Sequence, residues 1–353
     1  MAERGFMRAM VLRAPGQPLD LTELPIPEPG PGQVLVRLQA CGVCHSDVHI
    51  RSGSVTSSVM PPGLILGHEG VGRIVACGEG VDPAFQDRTV GMPWIHDTCQ
   101  ICRECLSGHE SFCQLQRANG FSVHGAYAEY MLAEAAFVAR IPEDLDPIAV
   151  APLMCAGLTA YGGVRRARLS PGSRVAIFGC GGLGLYAVQI ARRAGAEVFA
   201  VDVSEAKLDQ AKRCGAEHAL IAGGETGEEI KSAGGVDAVI NFAPTPATWP
   251  AMLAAVRPLG RIVAAALVSE PVPISQDWLT LTGVEITGTS VGTRLELQDL
   301  LRMHAREPFL SELTPVRLEE VNSALDALEA GRVNGRQVIN FGLGSPLSQG
   351  GRY

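Results

Sequence analysis

Hydrophobic and polar positions follow two different patterns along the chain. From 6 to 140, short alternating runs such as RAMVLR, QVLVRLQA, VGRIVAC and AYAEYMLAE are separated by turns rich in proline and glycine, including PIPEPGPGQ. Alternation with a period of two is typical of half-buried strands. This pattern predicts a β-rich first domain with the form of a partly open barrel.

A second pattern begins after the segment IPEDLDPIAVAP at 141 to 152. From about 170 the chain contains six apolar runs, and helix-length segments lie between most of them: RVAIF, EVFAVD, HALIA, VDAVINF, RIVAAALV and VEITGTS. Such alternation predicts an α/β fold with a doubly wound parallel sheet. After about 291 the chain continues with VGTRLELQDLL and ends near GRQVINFGLG, which we expect to return to the first domain. The predicted domains are therefore 1–150 with 291–353, and 151–290.

Composition fits two globular domains and narrows the possible functions. The chain has 353 residues, of which 46% are hydrophobic and 19% charged, and this is enough for two cores. A net charge of -8 argues against nucleic acid as a partner. The apolar stretch 175–191 is glycine-rich and too short to predict a membrane span. The N-terminal MAERGFMRAM lacks a secretory signal pattern, so we expect a cytoplasmic protein.

Four of the ten cysteines lie in CQICRECLSGHESFC, namely Cys99, Cys102, Cys105 and Cys113. Disulfides are rare in the reducing cytosol, whereas two C-x-x-C steps and a return loop let four thiolates converge on one tetrahedral zinc ion. Four sulfur ligands leave no position for water, so we predict a structural zinc site in a lobe at 95–115. Paired disulfides or an iron–sulfur cluster are the alternatives.

A second group of possible metal ligands is spread along the chain. It comprises CGVCHSDVHI at 41 to 50, LGHEG at 66 to 70, and a cysteine in APLMCAGLTAYGG at 151 to 163. Two thiolates and one imidazole would leave the fourth zinc position open for water or an alcohol oxygen, as in catalytic zinc sites. Each residue alone would be ordinary, since buried cysteines and core histidines are common.

A glycine-rich turn follows the first run of the second pattern. In RVAIFGCGGLG, Gly179, Gly181 and Gly184 match G-x-G-x-x-G, and Gly182 and Leu183 lie between them. Glycines let the backbone approach a pyrophosphate, and the N-terminus of the following helix offers unpaired N–H groups. The motif is weak alone, but its position between a strand and a helix predicts a dinucleotide site.

The next predicted strand ends in Asp202. A carboxylate there would accept hydrogen bonds from the adenosine ribose hydroxyls and would repel a 2′-phosphate. Because Val203 and Ser204 follow it, no arginine is placed to receive that phosphate. We therefore predict NAD rather than NADP, with a strand-end surface carboxylate as the alternative role of Asp202.

Taken in chain order, these motifs resemble those of the zinc-dependent alcohol dehydrogenases of the medium-chain dehydrogenase/reductase superfamily, nearest to the compact yeast and bacterial type. The resemblance covers essentially the whole chain apart from its terminal tails. It implies a GroES-like β domain, a Rossmann domain, two zinc ions per subunit, and NAD-dependent oxidation of a small alcohol to an aldehyde or ketone. By analogy it also implies a homotetramer. An NADPH-dependent reductase of the same superfamily and a zinc-stabilised binding or redox-sensing protein are the alternatives.

The resemblance also assigns the residues of the catalytic centre. Cys44, His68 and Cys155 correspond to the three ligands of the catalytic zinc. Glu69 corresponds to the acid beside the metal, which can become a transient ligand. Asp47 corresponds to the carboxylate that orients His68 by accepting the proton of its other ring nitrogen.

Further roles follow from the same resemblance. Ser46 corresponds to the hydroxyl that contacts the alcohol, and His49 to the exposed end of the proton relay, with a loop hydroxyl and a surface imidazole as the alternatives. Thr159, Lys207 and Arg336 correspond to cofactor contacts near the nicotinamide, the adenosine ribose and the pyrophosphate, respectively.

Two positions bear on the substrate pocket. Trp94 corresponds to an aromatic wall of the yeast-type pocket, which would favour primary alcohols, although it could instead be a structural anchor near the lobe. Where those enzymes have a second tryptophan, this chain has Val55, so we expect a wider pocket that admits longer or aromatic alcohols.

Overall fold

A computed structural model describes residues 5–272 and 274–342, which fall into two compact units. The first unit contains the chain up to Cys155, Leu297–Ala305 and the chain from Glu312, and the second contains Ala156–Glu296 and Arg306–Ser311. The predicted domain bounds at 150 and 290 lie five and six residues before these bounds. Residues 1–4 and 343–353 of the predicted first domain lie outside the described residues.

The first part of the chain consists mainly of short strands. The strands are β1 (Phe6–Leu12), β2 (Asp20–Pro25), β3 (Gln33–Gly42), β4 (Leu64–Ile65), β5 (Gly70–Cys77), β6 (Thr89–Met92), β7 (Ile95–Asp97), β8 (Arg117–Ala118), β9 (Tyr130–Glu134) and β10 (Ala139–Arg140). The helices are α1 (His45–Ser52), α2 (Arg103–Leu106) and α3 (Pro147–Val150), with 3-10 turns at Pro83–Phe85, Glu110–Phe112 and Ala151–Met154.

Strands and helices alternate in the middle of the chain. The strands are β11 (Arg174–Phe178), β12 (Glu197–Asp202), β13 (His218–Ile221), β14 (Val236–Asn241), β15 (Val256–Ala264) and β16 (Glu285–Gly288). The helices are α4 (Ala156–Ala167), α5 (Gly184–Arg193), α6 (Glu205–Arg213), α7 (Thr226–Ser232), α8 (Trp249–Ala255) and α9 (Gln276–Thr282), with a 3-10 turn at Pro246–Thr248. The last elements are α10 (Arg294–Arg306), β17 (Leu313–Val316), a 3-10 turn at Leu318–Glu320, α11 (Val321–Glu329) and β18 (Arg336–Asn340).

The first unit is built around β3. A seven-stranded sheet has the order β10-β6-β5-β3-β18-β17, with β9 also paired to β3, and smaller sheets join β2-β1-β4 and β7-β8. Along β3, Val34, Val36 and Leu38 are buried in one apolar core, while Arg37 is exposed. This alternation is the one that the sequence pattern predicts, and the β-rich first unit is confirmed.

The second unit contains a six-stranded sheet with the order β13-β12-β11-β14-β15-β16. Every neighbouring pair in this sheet is parallel. Renumbered within the unit, the order is 3-2-1-4-5-6, so the predicted doubly wound sheet is confirmed. Its first strand, β11, leads directly into the glycine-rich turn.

Two predicted strands have different bounds in the structure. The run AYAEYMLAE forms a strand only from Tyr130, because the backbone N–H groups of Ala126 and Tyr127 donate to the carbonyls of Gly67 and Leu66, at 2.9 Å each. The run RIVAAALV belongs to β15, which begins earlier, at Val256, and ends at Ala264.

None of the described helices is by itself long and apolar enough to cross a membrane. The bent pair Pro147–Met154 and Ala156–Ala167 has the necessary length and apolar composition only when its two members are counted together.

Candidate metal and nucleotide sites

Four side chains from distant parts of the sequence meet in the first unit. Potential ligand atoms of Cys44, His68, Glu69 and Cys155 all lie within 4.8 Å of one another. His68 and Glu69 have no exposed surface, and the two cysteines are 4% and 7% exposed. The structure thus brings together the three residues assigned to the catalytic metal and the acid assigned beside it.

Local structure explains how these residues reach the same point. Cys44 is the N-cap of α1, where its backbone N–H donates to the carboxylate of Asp47. His68 and Glu69 come directly before β5. Cys155 ends the 3-10 turn Ala151–Met154, which is fully buried.

The Asp47 carboxylate connects most of this site. Its Oδ1 accepts hydrogen bonds from Nδ1 of His68 at 3.1 Å and from the backbone N–H of Gly67 at 3.2 Å. Its Oδ2 accepts from the backbone N–H of Cys44 at 3.0 Å and from the hydroxyl of Tyr127 at 2.9 Å. With four donors, this buried carboxylate fixes both the metal-side cysteine and the orientation of the histidine ring.

The donor set fits a zinc ion. Because Asp47 accepts a hydrogen bond from the Nδ1–H of His68, the neutral imidazole directs the lone pair of Nε2 toward the two cysteines. Nε2 is buried and has no hydrogen-bond partner among the described residues, which is costly unless a cation binds there. The hydrogen bond from the Cys155 thiol lowers the pKa of Cys44 well below its ordinary value, as does His68, so one sulfur is poised as a thiolate. Two sulfurs and one imidazole nitrogen are a common zinc ligand set.

Glu69 lies between this cluster and a buried arginine. Burial raises the pKa of Glu69 to about 7, against the opposing effect of Arg336, which donates a short hydrogen bond to Glu69 Oε2. A Cβ at Gly42 would lie 1.8 Å from the same oxygen, so glycine is required there. Arg336 is the first residue of β18 and is 6% exposed. The structure thus places Arg336 beside Glu69; its assignment to a pyrophosphate stays a prediction.

The two residues assigned to a proton relay lie on α1. Ser46 Oγ is 4.0 Å from the sulfur of Cys44, and both Ser46 and His49 are half-buried. His49 Nδ1 is 3.3 Å from the hydroxyl of Ser54. The ring of His45 lies 5.4 Å from that of His49, and sequence reasoning did not single it out. Partial desolvation lowers the pKa of His45, although the side chain is exposed, and the neighbouring His49 adds to this effect.

Trp94 packs against a predicted metal ligand. Its ring meets the His68 ring edge-on at a centroid distance of 4.9 Å and stacks on Phe121 at 5.9 Å. Trp94 is half-buried, as is Val55, whose backbone N–H donates to the carbonyl of His49 at 3.2 Å. The indole is therefore held between the histidine and a second aromatic ring.

The cysteine-rich lobe forms a separate group of four thiols. Potential ligand atoms of Cys99, Cys102, Cys105 and Cys113 lie within 4.8 Å of one another. The Sγ atoms of Cys99 and Cys105 are 4.0 Å apart, and those of Cys99 and Cys113 are 3.6 Å apart. Tetrahedral coordination at a Zn–S distance of about 2.3 Å places sulfurs roughly 3.8 Å apart. All ten cysteines are free thiols, so the disulfide alternative does not hold.

Backbone N–H groups point at two of the sulfurs in this lobe. The N–H of Cys102 points at the sulfur of Cys99 at 3.3 Å, and the N–H of Cys105 points at the sulfur of Cys102 at 3.5 Å. Backbone N–H groups of Ile101 and Cys102 lower the pKa of Cys99 to about 6. Backbone donation thus favours a thiolate at Cys99, as a zinc ligand requires.

The glycines of the dinucleotide motif have different roles in the turn between β11 and α5. Gly179 has a φ of 90°, and a Cβ there would lie 2.8 Å from the backbone N of Ala243. A Cβ at Gly184 would lie 1.9 Å from the carbonyl oxygen of Gly179. A Cβ at Gly181 would meet no atom of the described residues within 4 Å. Packing within the unit explains why Gly179 and Gly184 are glycines. Gly181 instead leaves space in which a pyrophosphate could approach the N-terminus of α5.

Asp202 is built into the same turn. Its Oδ2 accepts the backbone N–H of Cys180 at 2.7 Å, and its Oδ1 accepts that of Ser204 at 3.0 Å. Asp202 is 7% exposed and ends β12. Lys207 is half-buried on α6, and Thr159 is buried on α4. These hydrogen bonds fix the carboxylate beside the glycine-rich turn.

Sequence reasoning missed two residues that support the metal site. Tyr127 donates to Asp47, and Phe121 supports Trp94. The alternation in AYAEYMLAE predicts that Tyr127 points into the core, but it does not predict the hydrogen bond to Asp47. Phe121 lies in a glycine-rich loop with no periodic signal at all.

Comparisons with known proteins match both units. The family model of the alcohol dehydrogenase GroES-like domain matches residues 30–143, and that of zinc-binding dehydrogenases matches residues 182–306. An alcohol dehydrogenase from Moraxella sp. (strain TAE123) is 40% identical over 337 residues, which cover 95% of this chain and 99% of that protein.

Two solved structures are similar over nearly the full length. Acetophenone reductase from Geotrichum candidum NBRC 4597 in complex with NAD has a TM-score of 0.86 at 30% identity, covering 95% of this chain and 97% of that one. The cobalt- and zinc-bound thermostable alcohol dehydrogenase from Pyrobaculum aerophilum has a TM-score of 0.86 at 30% identity, covering 95% and 100%. The similarity thus extends through both units.

Proposed function

Because the chain belongs to the zinc-dependent alcohol dehydrogenase family of the medium-chain dehydrogenase/reductase superfamily, and is an alcohol dehydrogenase, we propose that it uses zinc and NAD to oxidise primary alcohols reversibly. The first unit has the GroES-like fold and the second the Rossmann fold, as the sequence predicts. Under this proposal each chain holds one catalytic and one structural zinc ion.

One observation carries the proposal. In the first unit, Cys44, His68 and Cys155 converge around the buried Nε2 of His68, which has no hydrogen-bond partner among the described residues. Asp47 accepts a hydrogen bond from Nδ1, the other nitrogen of the same ring. A histidine fixed in this way is typical of a metal ligand.

The residues around the cluster have separate tasks in the proposed reaction. When bound, Zn²⁺ supplies Lewis acidity, which lowers the pKa of an alcohol hydroxyl toward neutrality. Asp47 keeps the Nε2 lone pair of His68 directed at the ion. Ser46 would accept the hydroxyl proton of the alcohol while releasing its own toward His49, and His49, at the solvent end of the relay, would pass a proton to water. NAD supplies the nicotinamide ring that accepts the hydride.

The preference for NAD rests on Asp202. Its carboxylate is fixed by two backbone N–H groups and retains lone pairs that can accept hydrogen bonds from ribose hydroxyls. A 2′-phosphate at that position would face a fixed negative charge. Initial rates with the two cofactors separate an NAD enzyme from an NADPH-dependent reductase, and a strong preference for NADPH would overturn this part of the proposal.

The preference for primary alcohols rests on Trp94. Its ring is wedged between His68 and Phe121, so it presents a stiff wall close to the proposed metal. A branched carbon next to the hydroxyl would collide with such a wall more than a linear one. Val55 is a small side chain in the loop after His49, and we propose that it leaves room for longer or aromatic groups.

Replacing Cys155 by serine tests the proposed function. Serine removes one of the two thiolates, so we expect NAD reduction by a panel of alcohols to fall to background and the zinc content to drop by one ion per chain. The lobe zinc should remain, since all four of its cysteines are intact. Cys77→Ser is the matched control, because Cys77 is half-buried on β5 and belongs to neither thiol cluster. Unchanged turnover in Cys155→Ser would remove this residue from the site.

A further inference from the structure

A third group of potential ligands lies outside both thiol clusters. His96 and Asp97 belong to β7, and Glu134 is the last residue of β9. One ligand atom from each lies within 4.8 Å of the other two. His96 is only 5% exposed, so its ring is a buried polar group and not part of a solvated surface cluster. The carboxylates are partly exposed, with side-chain exposures of 22% and 24%.

The proton on His96 is located by its neighbours. The Asn119 amide nitrogen donates to the carbonyl of Pro93 at 2.8 Å, which fixes the direction of the amide. The amide oxygen of Asn119 then faces Nδ1 of His96 at 2.9 Å. Nδ1 must therefore carry a proton, and in a neutral ring the lone pair is on Nε2. His68 is held in the same way by Asp47, and it is the predicted ligand of the catalytic metal.

The second nitrogen of His96 faces Glu134 just beyond hydrogen-bond distance. Nε2 lies 3.6 Å from Glu134 Oε1 and makes no hydrogen bond among the described residues. The same chain contains an ordinary histidine–carboxylate contact, in which His218 Nε2 and Glu197 Oε1 are 2.7 Å apart. Two atoms bound to one ion at about 2.1 Å in a tetrahedral site lie roughly 3.4 Å apart. The separation at His96 is thus compatible with two ligands of one ion.

The charges around the three residues also favour a cation. Asp97 is paired with Arg117, whose Nε lies 2.9 Å from Oδ1. Glu134 receives a hydrogen bond from the uncharged amide of Gln33 at 3.0 Å. With a neutral imidazole, the group keeps one negative charge that no side chain of the described residues balances at hydrogen-bond distance. Met92 and Phe137 line the recess around His96 and Glu134, and such apolar walls strengthen the attraction for a cation.

We propose that His96, Asp97 and Glu134 form a third divalent-cation site, separate from the two cysteine-containing clusters. One imidazole and two carboxylates suit Zn²⁺ and similar first-row divalent ions. An ion there links β7 to β9, and β7 leads into the lobe through Cys99, two residues after Asp97. The site therefore stabilises the base of the lobe.

Zinc binding to the full-length protein tests this site directly. The protein is dialysed to equilibrium against buffers of increasing free Zn²⁺, and bound metal is counted by mass spectrometry. We expect wild type to bind one ion per chain more than His96→Gln and Glu134→Gln. The second variant keeps an oxygen for the Gln33 hydrogen bond, so it separates loss of a ligand from loss of folding. His218→Gln is the matched control, since it removes a histidine from a hydrogen-bonded carboxylate pair, and it should bind as many ions as wild type.

The difference between variants is independent of the two cysteine clusters. If the proposed catalytic site failed to bind zinc, the total count would fall in every protein, but the loss caused by His96→Gln would persist. Added Zn²⁺ should also raise the thermal midpoint of wild type and His218→Gln more than that of Glu134→Gln, because an ion that binds the folded state stabilises it. Equal zinc counts in wild type, His96→Gln and Glu134→Gln would overturn the proposal and leave His96 and Glu134 as an ion pair.

Discussion

The Tyr127 hydroxyl donates a hydrogen bond to Oδ2 of Asp47 over 2.9 Å, and neither side chain has any exposed surface. The other oxygen of Asp47 accepts the Nδ1–H of His68, so Tyr127 acts on the predicted metal ligand through the carboxylate. Tyr127 is held close to Asp47 because its backbone N–H donates a hydrogen bond to the carbonyl of Leu66, two residues before His68. Tyr127 is thus a positioning residue, two hydrogen bonds away from the proposed metal.

Removing the Tyr127 hydroxyl should weaken the metal site. In Tyr127→Phe a buried carboxylate oxygen loses one donor, which costs about 1–3 kcal/mol in the free energy of unfolding. Because Asp47 then holds His68 less firmly, we expect zinc affinity to fall by about 10- to 100-fold. Urea unfolding measures the first effect, and competition with a chelator measures the second.

Tyr130→Phe is the control for this substitution. Tyr130 is half-buried on β9, and its hydroxyl makes no hydrogen bond among the residues that the structure describes. It should keep the zinc affinity of wild type. A Tyr127→Phe protein that is less stable but binds zinc like wild type would show that Tyr127 has only a structural role.

The structure predicts an inert thiol in the nucleotide turn. Burial raises the pKa of Cys180 to about 12, and the nearby Asp202 carboxylate adds to this effect. At pH 8 the thiolate fraction is then about one in 10⁴, so we expect iodoacetamide to leave Cys180 unmodified in the folded protein. Because ionisation requires a pH near 12, raising the pH from 7 to 9 should not change this result.

Peptide mapping after alkylation measures the outcome, with Cys77 as the internal comparison. Cys77 is half-buried, so it should be modified in the folded protein, and both residues should react after unfolding in urea. Rapid modification of Cys180 in the folded protein would mean that the turn between β11 and α5 opens far more often than its packing implies.

The strands and the sheet type of the second unit could be predicted from the sequence, whereas the contacts of the metal site could be predicted only in part. Six apolar runs predict the strands of the parallel sheet, and the runs are clearest for the central strands β11, β12 and β14, which are largely buried. The glycine turn is equally local, since strand, glycines and helix are consecutive. The site residues Cys44, His68 and Cys155 came from a resemblance, because no periodicity links positions so far apart in the chain.

Tyr127 and Asn119, which sequence reasoning missed, share one physical feature, which is a partner far away in the sequence. Tyr127 lies 80 residues from Asp47, and Asn119 lies 23 residues from His96. The run AYAEYMLAE predicts one strand, but the hydrogen bonds of Ala126 and Tyr127 go to the segment that leads to His68. Local propensity therefore predicted an extended conformation there, and tertiary hydrogen bonding determined which segment it paired with.

Substituting Asp202 should change the preference between the two cofactors. Asp202→Asn removes the negative charge that would oppose a 2′-phosphate, and it also removes one acceptor from the pair of backbone N–H groups. We expect the ratio of kcat/KM for NADP to that for NAD to rise by about tenfold, which corresponds to about 1.4 kcal/mol. Steady-state rates with each cofactor give this ratio.

Asp209→Asn is the matched control for the cofactor test. Asp209 is exposed on α6 and pairs only with Lys212, at 3.4 Å, among the described residues. The net charge changes equally in both variants, so a long-range charge effect would alter both ratios alike. An unchanged ratio in Asp202→Asn would assign Asp202 to the structure of the turn alone.

The position of Trp94 between two rings gives its two candidate roles different consequences. If the indole is the wall of the substrate pocket, its removal enlarges the pocket beside His68. If the indole is a structural anchor, its removal leaves a cavity between His68 and Phe121 and lowers stability without a change in specificity. Both effects can be measured on one variant.

We expect Trp94→Ala to raise kcat/KM for branched secondary alcohols, relative to linear primary ones, by about tenfold or more, as a change in pocket contacts of a few kcal/mol would allow. Phe121→Ala should shift the same ratio in the same direction but less, because the indole stays and loses only its support. Val55→Trp should shift the ratio the opposite way, since it refills the pocket from the loop after His49. Rates with matched alcohols and thermal midpoints are measured on all three variants. A lower midpoint in Trp94→Ala with an unchanged ratio would show that Trp94 is the anchor and that another side chain limits the pocket.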